Sequence, residues 1–214
     1  MATLRVDSAE TIPVKAPRPR RRIPLSLRMF LSLLALAGIC SAFVVLRGYR
    51  QISAVRAIEK FGGQVYHSRV GPPWLRKLVG EDSMGMFDTV TEVSLYGTVT
   101  DADLHHLRGL TALKSLSLGG TQVTGPGLQH LRGLRTLKFL SLTSTNVTDA
   151  GLQHLRWLTA ITGLSLRGTQ VTDAGLEHLH GLTTLEYVDL YGTPVTDAGV
   201  AELRQALPSL RIFR

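Results

Sequence analysis

The chain has 214 residues, 44% of them hydrophobic, with 24 Lys/Arg against 16 Asp/Glu and a single cysteine, Cys40. That apolar fraction supports a core, and one cysteine excludes an internal disulfide. With no Cys/His cluster and no CxxC motif, zinc and thiol-redox chemistry have no basis in the sequence. The net charge of +8 is unevenly placed: residues 1–90 carry 14 Lys/Arg against 6 Asp/Glu, whereas residues 91–214 carry 10 of each. A nucleic-acid-binding domain would carry its positive charge on the folded face, so this distribution argues against a nucleic-acid partner.

Residues 1–28 are rich in Pro and Arg, and Pro13, Pro17 and Pro19 interrupt any helix, which reads as a flexible basic tail. Met29 to Leu46, "MFLSLLALAGICSAFVVL", follows without a charged residue. As a helix it would reach about 27 Å, close to the ~30 Å hydrocarbon thickness of a bilayer, so the expectation is a transmembrane signal anchor over 29–46. Seven Lys/Arg precede the span and four follow within twenty residues. The positive-inside rule then keeps the N-terminus cytoplasmic and places the rest outside the cytoplasm. Two alternatives stay open: cleavage at the small residues Ala35–Ala37, and lipidation of Cys40, which Ile39 disfavours.

Residues 47–90 read as a juxtamembrane and capping region. "ISAVRAIEKFGG" is an amphipathic helix ending at Gly62–Gly63, "QVYH" a short strand, and "WLRKLVG" after Pro72–Pro73 another brief helix, with Trp74 sealing the cap. The 28-residue distance from Val65 to Val93 suggests a degenerate first repeat.

From residue 91 the sequence is periodic. The apolar pairs Leu116/Leu118, Leu140/Leu142, Leu164/Leu166 and Val188/Leu190 recur every 24 residues, and Val93/Leu95 opens a copy one residue shorter. Around them returns a string such as "RGTQVTDAGLEHLHGL". About five copies fill 91–214, and a period of 20–29 residues with an LxL core is the leucine-rich-repeat signature. Each LxL points two side chains inward from a short strand. The Thr three residues on (Thr98, Thr121, Thr145, Thr169, Thr193) has a hydroxyl for the turn backbone. Val enters the core, and Thr or Asp caps the helix that follows. Leucines at three-residue steps, such as Leu176, Leu179 and Leu182, line its inner face. Gly109, Gly133 and Gly181 are expected to close these helices at positive φ, with a different helix end where Trp157 stands instead. "ALPSLRIF" carries one extra residue and reads as an atypical terminal unit whose strand has barely begun. The fold class expected is α/β, a leucine-rich-repeat solenoid with parallel strands on the concave side and helices on the convex side.

The chain resembles bacterial, often membrane-anchored leucine-rich-repeat proteins with arrays of "GTxVTDAGLxxLxxLxxLxxLxL". In some of these a lead-in precedes the array, here "AIEKFGGQV…GPPWLRKLVG" from Ala57 to Gly80. The resemblance covers roughly residues 50–214 and implies a binding scaffold with no common ligand and no enzymatic activity. The repeats are also similar to those of F-box leucine-rich-repeat proteins, which select ubiquitin-ligase substrates. A recognition role within a ubiquitin-ligase-like or signalling complex is therefore the alternative, although no F-box-like segment is present.

Concave strand positions follow from the register. Tyr96, Phe139, Arg167, Tyr187, Asp189 and Tyr191 are the candidate partner-binding residues, an aromatic-plus-Arg set of the kind that anchors interfaces. Five strands ~4.8 Å apart make a face of only about 20 Å, so a protein or peptide partner, or a homo-oligomer, is expected there. His106, His130, His154 and His178 repeat at one position, as do Asp101, Asp149, Asp173 and Asp197. The first set reads as convex-face decoration and the second as helix-start charge, with no metal or cofactor implied. The sequon at Asn146 and the serines at 117, 141 and 165 belong to the same periodicity. No catalytic Ser/His/Asp set, phosphate loop or dinucleotide fingerprint appears, so no enzyme is expected.

Overall fold

The computed structural model describes residues 38, 48–49, 51–69, 77 and 88–214. The expected basic tail and, apart from residues 38 and 77, the apolar span 29–46 and the brief helix expected over 74–80 lie outside these residues. Among the described residues no helix is long and apolar enough to cross a membrane. The chain divides into two units, Met1–Ala42 and Phe43–Arg214, and the second carries the periodic region.

Seven strands form one sheet in sequence order: β1 (Gln64–Ser68), β2 (Thr89–Ser94), β3 (Ser115–Ser117), β4 (Phe139–Ser141), β5 (Gly163–Ser165), β6 (Tyr187–Asp189) and β7 (Arg211–Phe213). From β2 to β7 every pair is parallel and in register, with Val93, Leu116, Leu140, Leu164, Val188 and Ile212 side by side. Val93, Leu116, Leu140, Leu164 and Val188 of this row are buried, as are Leu95, Leu118, Leu142, Leu166 and Leu190 and the five valines Val99, Val123, Val147, Val171 and Val195, while Ile212 in the last strand is partly buried. No unit could bury its apolar face alone; each uses its neighbours, as solenoids do.

The convex segments are mostly 3₁₀ helices: Asp103–Gly109, Gly125–Gly133, Gln153–Trp157 and Glu177–Leu179, the last two preceded by single α-turns at Asp149–Leu152 and Asp173–Leu176. The leucine spacing explains this. Leu128, Leu131, Leu134 and Leu137 stand three apart and are all fully buried, and only three residues per turn keeps such a row on one face. In the last unit the buried row is Val200, Leu203, Leu207 and Leu210, stepping by three, four and three, and there a ten-residue α-helix forms, Asp197–Ala206.

Several sequence expectations are corrected. β1 is no degenerate repeat: it runs antiparallel to β2, with Val65 directly opposite Val93, so the 28-residue step is a long hairpin connection. It works with the helix at 51–60, whose Ala54 and Ile58 enter the same core, to cover the first parallel strand. β7 is a full strand rather than the beginning of one. The residue that seemed extra lies in the last helix and is taken back before β7, so that Tyr187 and Arg211 keep the 24-residue step.

Gly109, Gly133 and Gly181 are not at positive φ. Each 3₁₀ segment instead closes with the next leucine's N–H on the carbonyl three residues back, Leu110 on Leu107 and Leu134 on Leu131. Leu158 after Trp157 has φ −85° and ψ 65°, against −89° and 56° at Leu110, so the helix end at Trp157 does not differ. The position tolerates any residue because its backbone is ordinary. Positive φ belongs to the residue before the conserved turn Thr: Gly97, Gly120, Gly168 and Gly192, with Ser144 in the same place at φ 53°.

The turn threonines act as expected in four units. Thr121, Thr145, Thr169 and Thr193 donate through Oγ1 to the carbonyl three residues back at 2.6–2.7 Å. Thr98, in the shorter first copy, is exposed. The capping expectation is revised further. Only Thr196 caps its own helix through its side chain, accepting from Gly199 N–H. Asp149 instead reaches into the following unit, where its carboxylate accepts from the N–H and Oγ1 of Thr172, both at 2.7 Å. Asp173 does the same with Thr196, and Asp101 with Thr124.

The glycine of "TDAG" completes this clasp. A Cβ on Gly127, Gly175 or Gly199 would overlap the carboxylate of the preceding unit's Asp, so glycine here is a seat for that carboxylate. In the second copy Gly125 replaces the Asp and the clasp is absent; Gly125 and Gly151 then approach backbone to backbone, a Cβ on either falling within 2.8 Å of the other's Cα.

Candidate functional site

The concave surface gathers its large side chains at the C-terminal end of the sheet. An open groove of about 750 Å³ is lined by Phe139, Arg167, Tyr187, Asp189, Tyr191 and, from β7, Phe213. Five of the six residues expected from the sequence therefore lie together. Tyr96 does not: it follows β2, is exposed, and has no place in this groove. Phe213 and Arg214 are additions that sequence reasoning missed because it took the last strand to have barely begun.

The groove is internally organised. Phe139, Gly163 and Tyr187 occupy one register position on three adjacent strands. Gly163 leaves that middle position empty, and a Cβ there would overlap the Tyr187 ring. Tyr187 thus lies across Gly163 and stacks on Phe139, with ring centroids 6.2 Å apart and planes at 27°, within the range of favourable aromatic pairs. Beside it, the Arg167 guanidinium sits 4.5 Å from the Tyr191 ring centroid. Asp189 accepts from Tyr191 N–H at 3.0 Å, which orients its carboxylate along its own strand. Ser141, Thr143 and Ser165 share hydroxyl hydrogen bonds of 3.0–3.1 Å on the groove floor. The result is an aromatic wall with two arginines, Arg167 and Arg214, and one carboxylate, Asp189, on the sheet face.

The histidines fall on the helical side. His106 and His130 both titrate below the ordinary imidazole range. Partial burial is the main cause in each, reinforced at His106 by His105 and at His130 by Arg108, with Asp103 and Asp101 respectively acting in opposition. His130 Nδ1 is buried without a hydrogen-bond partner. Among the described residues no group of His, Cys, Asp and Glu has an arrangement that could hold a metal ion. Asp173 titrates below the ordinary carboxylate range because of its hydrogen bonds from the Thr196 hydroxyl and N–H, consistent with a clasp and not with acid–base chemistry.

A family model described as "Leucine Rich repeat" matches residues 133–155, one repeat of this array. No curated protein matches the sequence. Similar solved structures include a leucine-rich-repeat protein of Leptospira interrogans, at 22% identity and a TM-score of 0.44 over 51% of this chain and 27% of that one. An internalin from Listeria monocytogenes is 20% identical, with a TM-score of 0.40 over 56% and 39%. The leucine-rich-repeat ectodomain of the receptor kinase SOBIR1 from Arabidopsis thaliana is 15% identical, with a TM-score of 0.48 over 77% and 91%. The chain thus spans well under half of the two bacterial proteins. The matched segment is one of the periodic units, whose apolar rows recur in register from β2 to β7.

Proposed function

We propose that this protein is a non-catalytic leucine-rich-repeat binding module, anchored by residues 29–46 and exported, that takes a protein or peptide partner on the C-terminal part of its concave face. The observation that supports this most is the Phe139–Tyr187 stack beside the Arg167–Tyr191 pair. The first pair is formed in advance on parallel strands and the second just beyond the ends of two of them, so their rotamers are restricted before a partner arrives, and preorganised aromatic and Arg anchors are what binding hot spots use. The test is proximity labelling from the full chain in its membrane, followed by capture of the labelled partner with wild type and with Tyr187→Ala/Tyr191→Ala. Both tyrosines are outside the core, so the double variant keeps its melting temperature and loses the partner. Unchanged capture would refute the site. A C-terminal reporter active only in the cytoplasm would refute the topology and return the chain to an intracellular recognition role.

A further inference from the structure

A second groove lies on the opposite, helical side of the repeats, and it is built for an anion. Arg108, Arg132, Arg135 and Arg156 line it, with His130, His154 and Trp157, around a volume of about 640 Å³. None of its lining residues is acidic. This is notable in a region, residues 91–214, whose basic and acidic residues are equal in number. Among the described residues none of these four arginines is ion-paired.

Periodicity accounts for part of the set, because Arg108, Arg132 and Arg156 recur every 24 residues near the ends of successive helical segments, where cations are favoured. It does not account for the rest. Arg135 stands where the neighbouring units have Thr111, Thr159 and Thr183, and Trp157 stands where they have Gly109, Gly133 and Gly181. Two departures from the repeat, in different units, thus converge on one groove. Trp157 is framed by two guanidinium groups, Arg132 at 4.5 Å and Arg156 at 4.9 Å from its ring. Such stacking restricts both forks without consuming their N–H donors.

The geometry points to a binding site for a phosphate-bearing ligand of at least two phosphate groups. Four unpaired guanidinium groups around one small groove call for concentrated negative charge. A phosphate group carries up to about two charges and several acceptor oxygens, where a carboxylate has one charge and two oxygens. The groove's volume is within the roughly 300–1,000 Å³ range of small-ligand sites. A soluble oligophosphate and the headgroups of an anionic bilayer offer the same chemistry, and the test separates them. This inference is independent of the concave site.

The full chain, kept in non-ionic detergent, is titrated with tripolyphosphate by calorimetry and separately mixed with phosphatidylglycerol or phosphatidylcholine vesicles. Saturable tripolyphosphate binding, or selective binding of phosphatidylglycerol vesicles, supports the site and identifies its source. Arg132→Ala and Arg156→Ala each weaken it about tenfold, the size of one charge-assisted hydrogen bond. Trp157→Gly, which restores the residue of the other repeats on an ordinary backbone, weakens it too and leaves the melting temperature in place. Arg204→Ala, an exposed arginine that lines neither groove, leaves this binding unchanged. Absence of binding in both arms, indifference to these substitutions, or equally tight binding of poly-glutamate or duplex DNA would overturn the inference.

Discussion

Replacing Asp149 with Ala removes two hydrogen bonds that join one repeat to the next, from Thr172 N–H and Thr172 Oγ1, each at 2.7 Å. The N–H lies at the start of the segment Asp173–Leu176, where no intrahelical acceptor exists, so it is left to water or to nothing. A hydrogen bond to a charged group contributes about 1.5–3 kcal/mol. Asp149 and Thr172 are only half-buried, and one carboxylate makes both bonds, so the two are not additive. The expected loss is about 2 kcal/mol for the pair. In a region of this size that lowers the melting temperature by about 4–8 °C. Urea and thermal unfolding of the full chain give the value, with the exposed Gln153→Ala in the same unit as control. The double variant with Thr172→Val should lose less than the sum of the singles, because both remove the same bond. Since stability in a solenoid is carried by neighbour interfaces, amide exchange should rise on the C-terminal side, in β6 and the last helix, before it rises in β3. A loss under about 0.5 kcal/mol, typical of ordinary surface changes, would refute the clasp as a stabilising device.

Ser144→Gly should stabilise the chain by about 1 kcal/mol, because Ser144 holds a φ of 53° where four other units have glycine; a denaturant midpoint that falls would contradict this. Asp173 gives a pH dependence of known sign. Its folded pKa lies below the ordinary value, so its contribution is complete above the unfolded pKa of about 3.9 and is lost as pH falls through the folded pKa. The stability difference between wild type and Asp173→Asn should therefore be flat from neutral to mildly acidic pH and shrink in stronger acid, as read by melting temperature against pH. Gly163→Val should push Tyr187 off Phe139, which near-ultraviolet circular dichroism detects, and should weaken capture of any concave-face partner about as much as Tyr187→Ala does.

The fold was legible because the repeat makes one physical statement five times. Alternating apolar residues at a constant 24-residue step leave one parallel arrangement in register, whereas the three-residue leucine spacing reads in the sequence only as a helix's inner face, and the 3₁₀ form it favours comes from the structure. The clasp was not legible. Asp before a helix looks like a helix-start charge, and nothing within one repeat says that its carboxylate crosses to the next. Only the stacking distance shows that the "TDAG" glycine and threonine of one unit receive the aspartate of the preceding one. The helix-closing glycines misled for a related reason: a glycine after a helix suggests positive φ, but a chain that turns on successive three-residue hydrogen bonds does not need it.

The concave groove was half legible. Register predicts which side chains face outward, so Phe139, Arg167, Tyr187, Asp189 and Tyr191 could be named together. It does not predict how far a side chain reaches sideways. Gly163 reads as an empty position until Tyr187 is seen lying across it, and that absence couples two strands that are not neighbours. The same logic separates structure from recognition along the whole array. Residues that repeat serve the scaffold: the turn Thr within its own unit, the clasp Asp and its seat Gly between units. At Arg135 and Trp157 the repeat is broken, packing between units explains neither, and both line the groove on the helical side. In a protein that copies its scaffold, the departures from the copy are the residues to test first.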